Sequence, residues 1–411
     1  MQTQSSAPEP GAAPAGPLAG VRIVELCNII AGPTACAILG DYGAEVIKIE
    51  HPDKGDGFRD LGQKKQGMGV GWKALGRNKR SVGLYLGDPQ AREVFLELVR
   101  TADVVVDGFR VGTLEKWDLG YERLRAVNPA IILTRLSGYG PRGPYSHRPA
   151  FGSNLESLAG FPSLTGEPDG PPLLTMFAIG DIIAGMCLTS AILMALYHRD
   201  ARGGGGQVVE ASILAPLLTV MMRPLVTYDQ VGYKETRTGN RSNGSAPRRS
   251  FRTKDGKWVS VAAATFKAAR DMMRMVERPD FEREPWFQTG VGRLQHAHLL
   301  EPPMEEWMAR HTRDEILRIA EEQDVTIGPI LEVDEIFEDP HIKTAGFIRE
   351  IEDKDFGRMR MPDVMFRFSE TPGAIRWTGE HLGESTDAVL VDELGIDPAV
   401  LEGLRRRGVA H

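Results

Sequence analysis

The apolar positions of this chain fall into short continuous runs separated by amphipathic or small-residue stretches. VRIVEL (21–26) is a compact apolar run that reads as a strand. AGPTACAILGDYG (31–43) follows, with small residues suited to close helix packing, and AEVIKIE (44–50) reads as the next strand. Strand, helix and strand in such quick succession make a βαβ unit. AREVFLELVRTA (91–102) carries an amphipathic helical pattern and DVVVDGF (103–109) a strand pattern. GTLEKWDLGYERLRAVNP (112–129) is helical with a break, and AIILTRLSG (130–138) is another strand. This alternation predicts an α/β fold built on a doubly wound parallel sheet.

The long apolar run Ile182–Tyr197 falls short of the roughly 20 residues a membrane span needs, which predicts a buried helix. The glycines Gly203–Gly206 predict a loop, and QVVEASIL (207–214) a strand running into a helix. TRTGNRSNGSAPRRSFRTKDG (236–256) is polar and rich in turn residues, as a domain boundary is. KWVSVAAA (257–264) reads as a strand, and 266–276 and 313–323 as helices, giving a smaller α+β domain over 235–335. The stretches 361–373 and 382–395 belong to a C-terminal segment, 336–411, expected to return to a first domain over 18–225. No internal repeat is visible.

Charge and composition narrow the function classes. Among 411 residues, 49 Lys and Arg against 56 Asp and Glu give a net charge of −7. This speaks against nucleic acid as a partner but leaves room for a local basic pocket. Cys27, Cys36 and Cys187 show no CxxC spacing and the histidines no HExxH spacing, so no disulfide framework and no metal site are expected. The first residues, MQTQSSAPEPGAAPAG, lack a basic start and an apolar core, so they are read as a disordered tail over 1–17 rather than a secretory signal. The expectation is a soluble cytoplasmic protein with no membrane partner.

One stretch resists a purely structural reading. FAIGDIIAG (177–185) sets the carboxylate of Asp181 among apolar and small residues. Such a placement costs several kcal/mol unless the group is paired or hydrogen-bonded. The bland explanation is an N-cap at the start of the apolar helix.

Five segments, in order, resemble the class III CoA-transferase family: GVRIVELCNIIAGPTACAILGDYGAEVIKIEHPDKGD, NKRSVGLYL, VVVDGFRVGTLEKWDLGYERLRAVNPAIILTRLSGYG, LTGEPDGPPLL and DPHIKTAGF. That family includes formyl-CoA:oxalate, carnitine and succinyl-CoA-dependent transferases, and the α-methylacyl-CoA racemases. The resemblance implies a large Rossmann-like CoA-binding domain built from both chain ends, a smaller inserted domain, and an interlocked homodimer.

It also implies chemistry. Gly180-Asp181 matches the family's nucleophilic aspartate at a helix start, a role compatible with capping. A carboxylate attacking an acyl-CoA thioester gives a mixed anhydride and CoA thiolate; the thiolate then makes an aspartyl-CoA thioester, and the incoming acid reverses the sequence. Backbone N–H groups of a glycine loop, with Gly180, Gly203, Gly204 and Gly205 as candidates, would hold the oxyanion. Where transferases carry Tyr followed by an acid, this chain has Phe151 and Gly152. Glu156, one helical turn later, is the candidate replacement acid, or else a charge on the helix surface. The racemases have His and Asp at those two positions, so a racemase is the weaker reading.

The resemblance assigns the CoA site to Ile29, Ile30 and Ala31 of the NIIAGP loop and to Arg77, Lys79, Arg80 and Leu84 around RNKRSVGLYL. It adds Phe109, Arg110 and Lys116, then Arg148 and Phe151. His51 stands where a phosphate-binding Arg is often found. Arg223, Arg237 and Arg241 are candidates to clamp the second carboxylate of a dicarboxylic donor. The expected function is CoA transfer from an acyl-CoA donor such as succinyl-CoA to a carboxylic acid. CoA thioesters act as substrates and no cofactor is bound. The alternatives are an acyl-CoA racemase, or a CoA-binding inactive subunit of a heteromeric transferase with a homologous chain.

Overall fold

The computed structural model describes residues 16–411. The tail expected over 1–17 lies outside the described residues except for its last two. Six parallel strands form the main sheet: β1 (Arg22–Leu26), β2 (Glu45–Glu50), β3 (Lys79–Gly83), β4 (Val104–Asp107), β5 (Ile132–Ser137) and β6 (Val208–Ser212). Their order is β3-β2-β1-β4-β5-β6. The chain starts in the middle at β1, where Ile23 pairs with Val46 on one side and Val104 on the other. It winds outward through β2 and β3, then crosses back to β4. The strand order therefore reverses between β1 and β4, the place where open α/β sheets leave a crevice at the carboxyl ends of their strands.

The strands are short apolar runs because helices cover both faces. The helices are α1 (Ala31–Asp41), α2 (Pro89–Thr101), α3 (Tyr121–Val127), α4 (Gly152–Ala159), α5 (Ile179–Ala201) and α6 (Leu214–Val220). Asp88 opens α2 by accepting the N–H groups of Gln90 and Ala91, with Pro89 at the first helical position. The break foreseen within 112–129 falls between a short turn, Thr113–Lys116, and α3.

The apolar run after Asp181 becomes α5, with 23 residues. By length and composition α5 would suffice to cross a membrane. Here Gly180, Ala184, Leu188, Ile192, Ala195 and Leu196 make a buried stripe at helical spacing. A methyl group on Gly185 would lie 2.6 Å from the Ala31 carbonyl oxygen, so α5 crosses the start of α1 in backbone contact. Only small residues permit that crossing, which accounts for the composition of both helices.

The chain divides into two compact units. One comprises 16–159, 175–222 and 346–411, and holds the main sheet. The other comprises 160–174 and 223–345. This second unit has an antiparallel sheet of β7 (Arg248–Arg252), β8 (Trp258–Ala262) and β9 (Ile327–Ile330), with β8 central. Helices α7 (Phe266–Met275), α8 (Ala297–Arg310) and α9 (Arg313–Glu322) supply Met272, Met304, Met308 and Ile316 to its core. Three boundaries differ from the sequence expectation, the first being the start of the second unit's main stretch at 223 rather than 235. Segment 160–174 groups with the second unit, because Gly239 donates to the Gly166 carbonyl at 2.9 Å and Arg237 to that of Gly170 at 2.9 Å. The second unit also runs on to 345, tied by Glu335 to Arg313 at 2.6 Å and to Lys257 at 2.9 Å. The chain's end returns to the main sheet, where His411 N–H donates to the Gly83 carbonyl at 3.1 Å and Ala410 bridges Leu84.

Candidate active site

At the switch point between β1 and β4 lies a cleft of about 300 Å³. Its floor is the loop after β1 (Cys27–Ile30), the start of α1 (Ala31, Gly32) and the loop after β4 (Gly108–Val111). Its other wall is Ser146–Gly152 leading into α4, with Asp181 from α5. The approach of α1 and α5 at Ala31 and Gly185 places both helix N-termini, each a source of unpaired N–H groups and positive potential, at one cleft.

Asp181 is the third residue of α5; Ala178 is the N-cap and makes no side-chain capping bond. The N-cap reading of Asp181 is therefore corrected: its carboxylate caps nothing. Among the described residues the side chain has no hydrogen bond and no ion pair. Burial, and then the negative charge of Glu156, push its carboxyl up to about 6. Gly152 explains how it fits. A β-carbon there would come within 2.4 Å of Asp181 Oδ2, so only glycine lets the carboxylate reach this position. The acid that the family resemblance finds missing at 152 has no room beside this aspartate.

Glu156 is not a replacement acid reaching substrate. It is 1% exposed, does not line the cleft, and has both oxygens engaged. Oε1 accepts the Gly180 N–H at 2.9 Å and Oε2 the Thr175 hydroxyl at 2.5 Å. The surface-charge alternative is overturned as well.

The loop after β1 is held by buried charge. Ile29 has φ +71°, a left-handed conformation that is costly for a β-branched residue. Its N–H donates to Asp56 Oδ1 at 2.8 Å. Lys48 bonds Asp56 Oδ2 at 2.8 Å, Glu25 at 2.7 Å and the Cys27 carbonyl at 2.6 Å. Burial opposes the ionised Asp56, yet the Lys48 charge and the hydrogen bonds hold its pKa below the usual carboxylate value. Ile30 precedes α1 as its N-cap without a side-chain cap, and Ala31 and Gly32, the first residues of that uncapped helix, line the cleft.

The remaining sequence candidates separate by sheet edge. Ile29, Ile30, Ala31, Phe109, Arg110, Arg148 and Phe151 line the cleft. Arg110 and Arg148 are exposed, and neither bonds a carboxylate among the described residues; Arg148 lies over the Tyr145 ring at 3.9 Å. Outside the cleft, Phe109 packs on Trp117 (5.2 Å), Trp117 on Tyr85 (6.4 Å) and Tyr85 on His51 (5.0 Å), with exposed Lys116 adjoining Trp117. Trp117, Tyr85 and His147, a further lining residue, were missed; Trp117 within LEKWDLG and Tyr85 within NKRSVGLYL lay in segments that carry the resemblance, whereas His147 lay in none.

Three basic candidates are corrected. Arg77, Lys79 and Arg80 precede or open β3, at the amino edge of the sheet, and are spent on Asp41, Glu25 and Glu45 at 2.7–2.8 Å. Leu84 is buried in the core beside Ala410. Gly203, Gly204 and Gly205 follow the far end of α5, whose last residue, Ala201, is about 30 Å along its axis from Asp181 at 1.5 Å per residue. They form the helix exit, not an oxyanion loop. Of the three suggested carboxylate clamps, Arg223 pairs with Glu235 and Arg241 with Glu301, while Arg237 donates to backbone carbonyls, all within the second unit.

Known proteins resemble this chain over nearly its whole length. The model of CoA-transferase family III matches residues 18–386. The chain is 36% identical over 396 residues to succinyl-CoA–D-citramalate CoA-transferase of Chloroflexus aurantiacus, covering 95% of this chain and 98% of that one. It is 35% identical to the alpha subunit of succinyl-CoA–L-malate CoA-transferase of the same organism, covering 96% and 92%. The crystal structure of a CAIB/BAIF family protein from Brucella suis superposes with a TM-score of 0.81 at 30% identity, covering 92% of this chain and 99% of that one.

Proposed function

The chain belongs to CoA-transferase family III, and we propose that it moves CoA from succinyl-CoA to a second carboxylic acid through covalent intermediates on Asp181. The observation that carries this reading is the unpartnered Asp181 carboxylate in the cleft at the sheet's switch point. An Asp181 oxygen attacks the thioester carbonyl carbon, the C–S bond breaks and CoA leaves as the thiolate. The Ala31 and Gly32 amides are the donors best placed to hold the oxyanion. The thiolate then attacks the aspartyl carbonyl, the donor acid leaves, and the acceptor acid repeats both steps in reverse.

The donor follows from the relatives, whose names give succinyl-CoA as their substrate. For the acceptor we propose a dicarboxylic acid of malate or citramalate type. Arg110 and Arg148 are the cleft cations without carboxylate partners that would meet its second carboxylate or a CoA phosphate. The ring path Phe109–Trp117–Tyr85–His51, flanked by Lys116, is a surface on which the CoA nucleotide would lie.

The test supplies succinyl-CoA with L-malate or D-citramalate and separates the CoA esters formed. The expected result is a new CoA ester with wild type and a loss of about 10³-fold or more with Asp181→Asn. Equal turnover by the variant would overturn the reading. A second reading, racemisation at the acyl α-carbon, has His147 in the cleft in its favour, since a base is needed there. It requires deuterium uptake at that carbon in D2O, whereas transfer alone leaves the α-hydrogen in place.

A further inference from the structure

α4 meets the start of α5 with two residues one turn apart. Gly152 receives the Asp181 carboxylate, and Glu156 receives the preceding Gly180 amide at 2.9 Å. A methyl group on Gly180 would sit 3.1 Å from both Cγ and Oε1 of Glu156, so the backbone leading to Asp181 lies directly on this second carboxylate. Glu156 is buried: Oε1 accepts the Gly180 amide, and Oε2 meets the Thr175 hydroxyl, which also lies 3.0 Å from the Phe177 carbonyl. No cation among the described residues pairs with it. Two carboxylates thus share one wall, one exposed to the cleft and one sealed behind it.

We propose that Glu156 is a positioning residue that promotes acylation of Asp181, by repelling the free carboxylate and losing that repulsion once Asp181 is acylated. This rests on the transfer reading above. When an Asp181 oxygen bonds to the thioester carbon and the C–S bond breaks, the electron pair leaves on the CoA sulfur. The negative charge passes from position 181 to the thiolate, away from Glu156. The mixed anhydride and the aspartyl thioester are neutral at 181, so each relieves the repulsion. The carboxyl of Asp181, raised by burial first and Glu156 second, carries the same signature. The other titratable or charged groups facing it are His147 and Arg148 from the turn before α4, Arg110 after β4 and the Cys27 thiol after β1. α1 and α6 present none at the cleft.

The experiment is the pH dependence of kcat/KM for succinyl-CoA, measured on the full chain with Glu156→Gln and Glu156→Asp. Glutamine keeps an oxygen for the Gly180 amide and removes the charge. Its acid limb should move down by about one pH unit, with kcat about tenfold lower and KM little changed. Aspartate keeps the charge and should keep the wild-type limb. A limb that stays put in the glutamine variant, with activity scaled equally at every pH, overturns the proposal and leaves Glu156 a packing role. So does a limb that falls alike in both variants. Should Glu156→Gln not fold, the uncharged variant Glu156→Met of similar size takes its place: a lowered limb supports the proposal and an unmoved one overturns it. Wild type trapped with hydroxylamine separates the two levels. An adduct on Asp181 with an unmoved limb overturns only the role of Glu156, while no adduct overturns the transfer reading beneath it.

Discussion

A half-buried carboxylate without a hydrogen bond is costly to keep, and Asp181 is kept by what its neighbours lack. Position 152 has no side chain, because a β-carbon would stand 2.4 Å from Oδ2. Gly152→Ala should therefore rotate the proposed nucleophile out of line and lower kcat/KM by about 10²-fold. Thermal melting should change little, since the added methyl displaces a side chain at a cleft rather than a packed core; kinetics and melting on one preparation check both. The sequence singled out Asp181, because an acid in an apolar run is conspicuous, but by itself it suggested an N-cap; the nucleophile role came from the family resemblance. It did not reveal what Gly152 does, since a glycine's meaning depends on the atom that approaches it. It misread Arg77, Lys79 and Arg80 for a related reason. Their partners Asp41, Glu25 and Glu45 are remote in sequence, and an ion-paired cation looks the same as a free one along the chain.

At the scale of elements, the site is a crossing of two helix starts over the carboxyl ends of β1 and β4. The loop between β1 and α1 is held in a left-handed turn at Ile29 by Asp56, itself held by Lys48. Removing one partner of a buried pair leaves the other charge uncompensated. Asp56→Ala should cost about 3–5 kcal/mol in denaturant unfolding. Asp56→Asn, which still accepts from Ile29, should cost less and keep more activity. The α/β alternation was readable from apolar runs because a parallel sheet covered on both faces needs them. The assignment of 160–174 to the second unit was not, because it rests on backbone hydrogen bonds to residues about seventy positions away in sequence, such as Gly239 to Gly166.

At the scale of the whole molecule, α5 carries more apolar surface than its own unit covers. Met194 is 71% exposed and Tyr197 63%, with Met186 and Leu193 also open. A helix apolar on all sides is normally buried on all sides. A second copy of this chain is the expected cover, and sedimentation equilibrium should give a dimer mass. A monomer at micromolar concentration, or a need for a second homologous chain before activity appears, would contradict a homodimer.

The central claim is covalent transfer through Asp181, and one measurement tests it most directly. The protein is incubated with succinyl-CoA and hydroxylamine, which converts an aspartyl anhydride or thioester to a hydroxamate, then digested and examined by mass spectrometry. The expected result is a hydroxamate on Asp181 in wild type and none in Asp181→Asn. Turnover that continues while Asp181 stays unmodified would contradict the account.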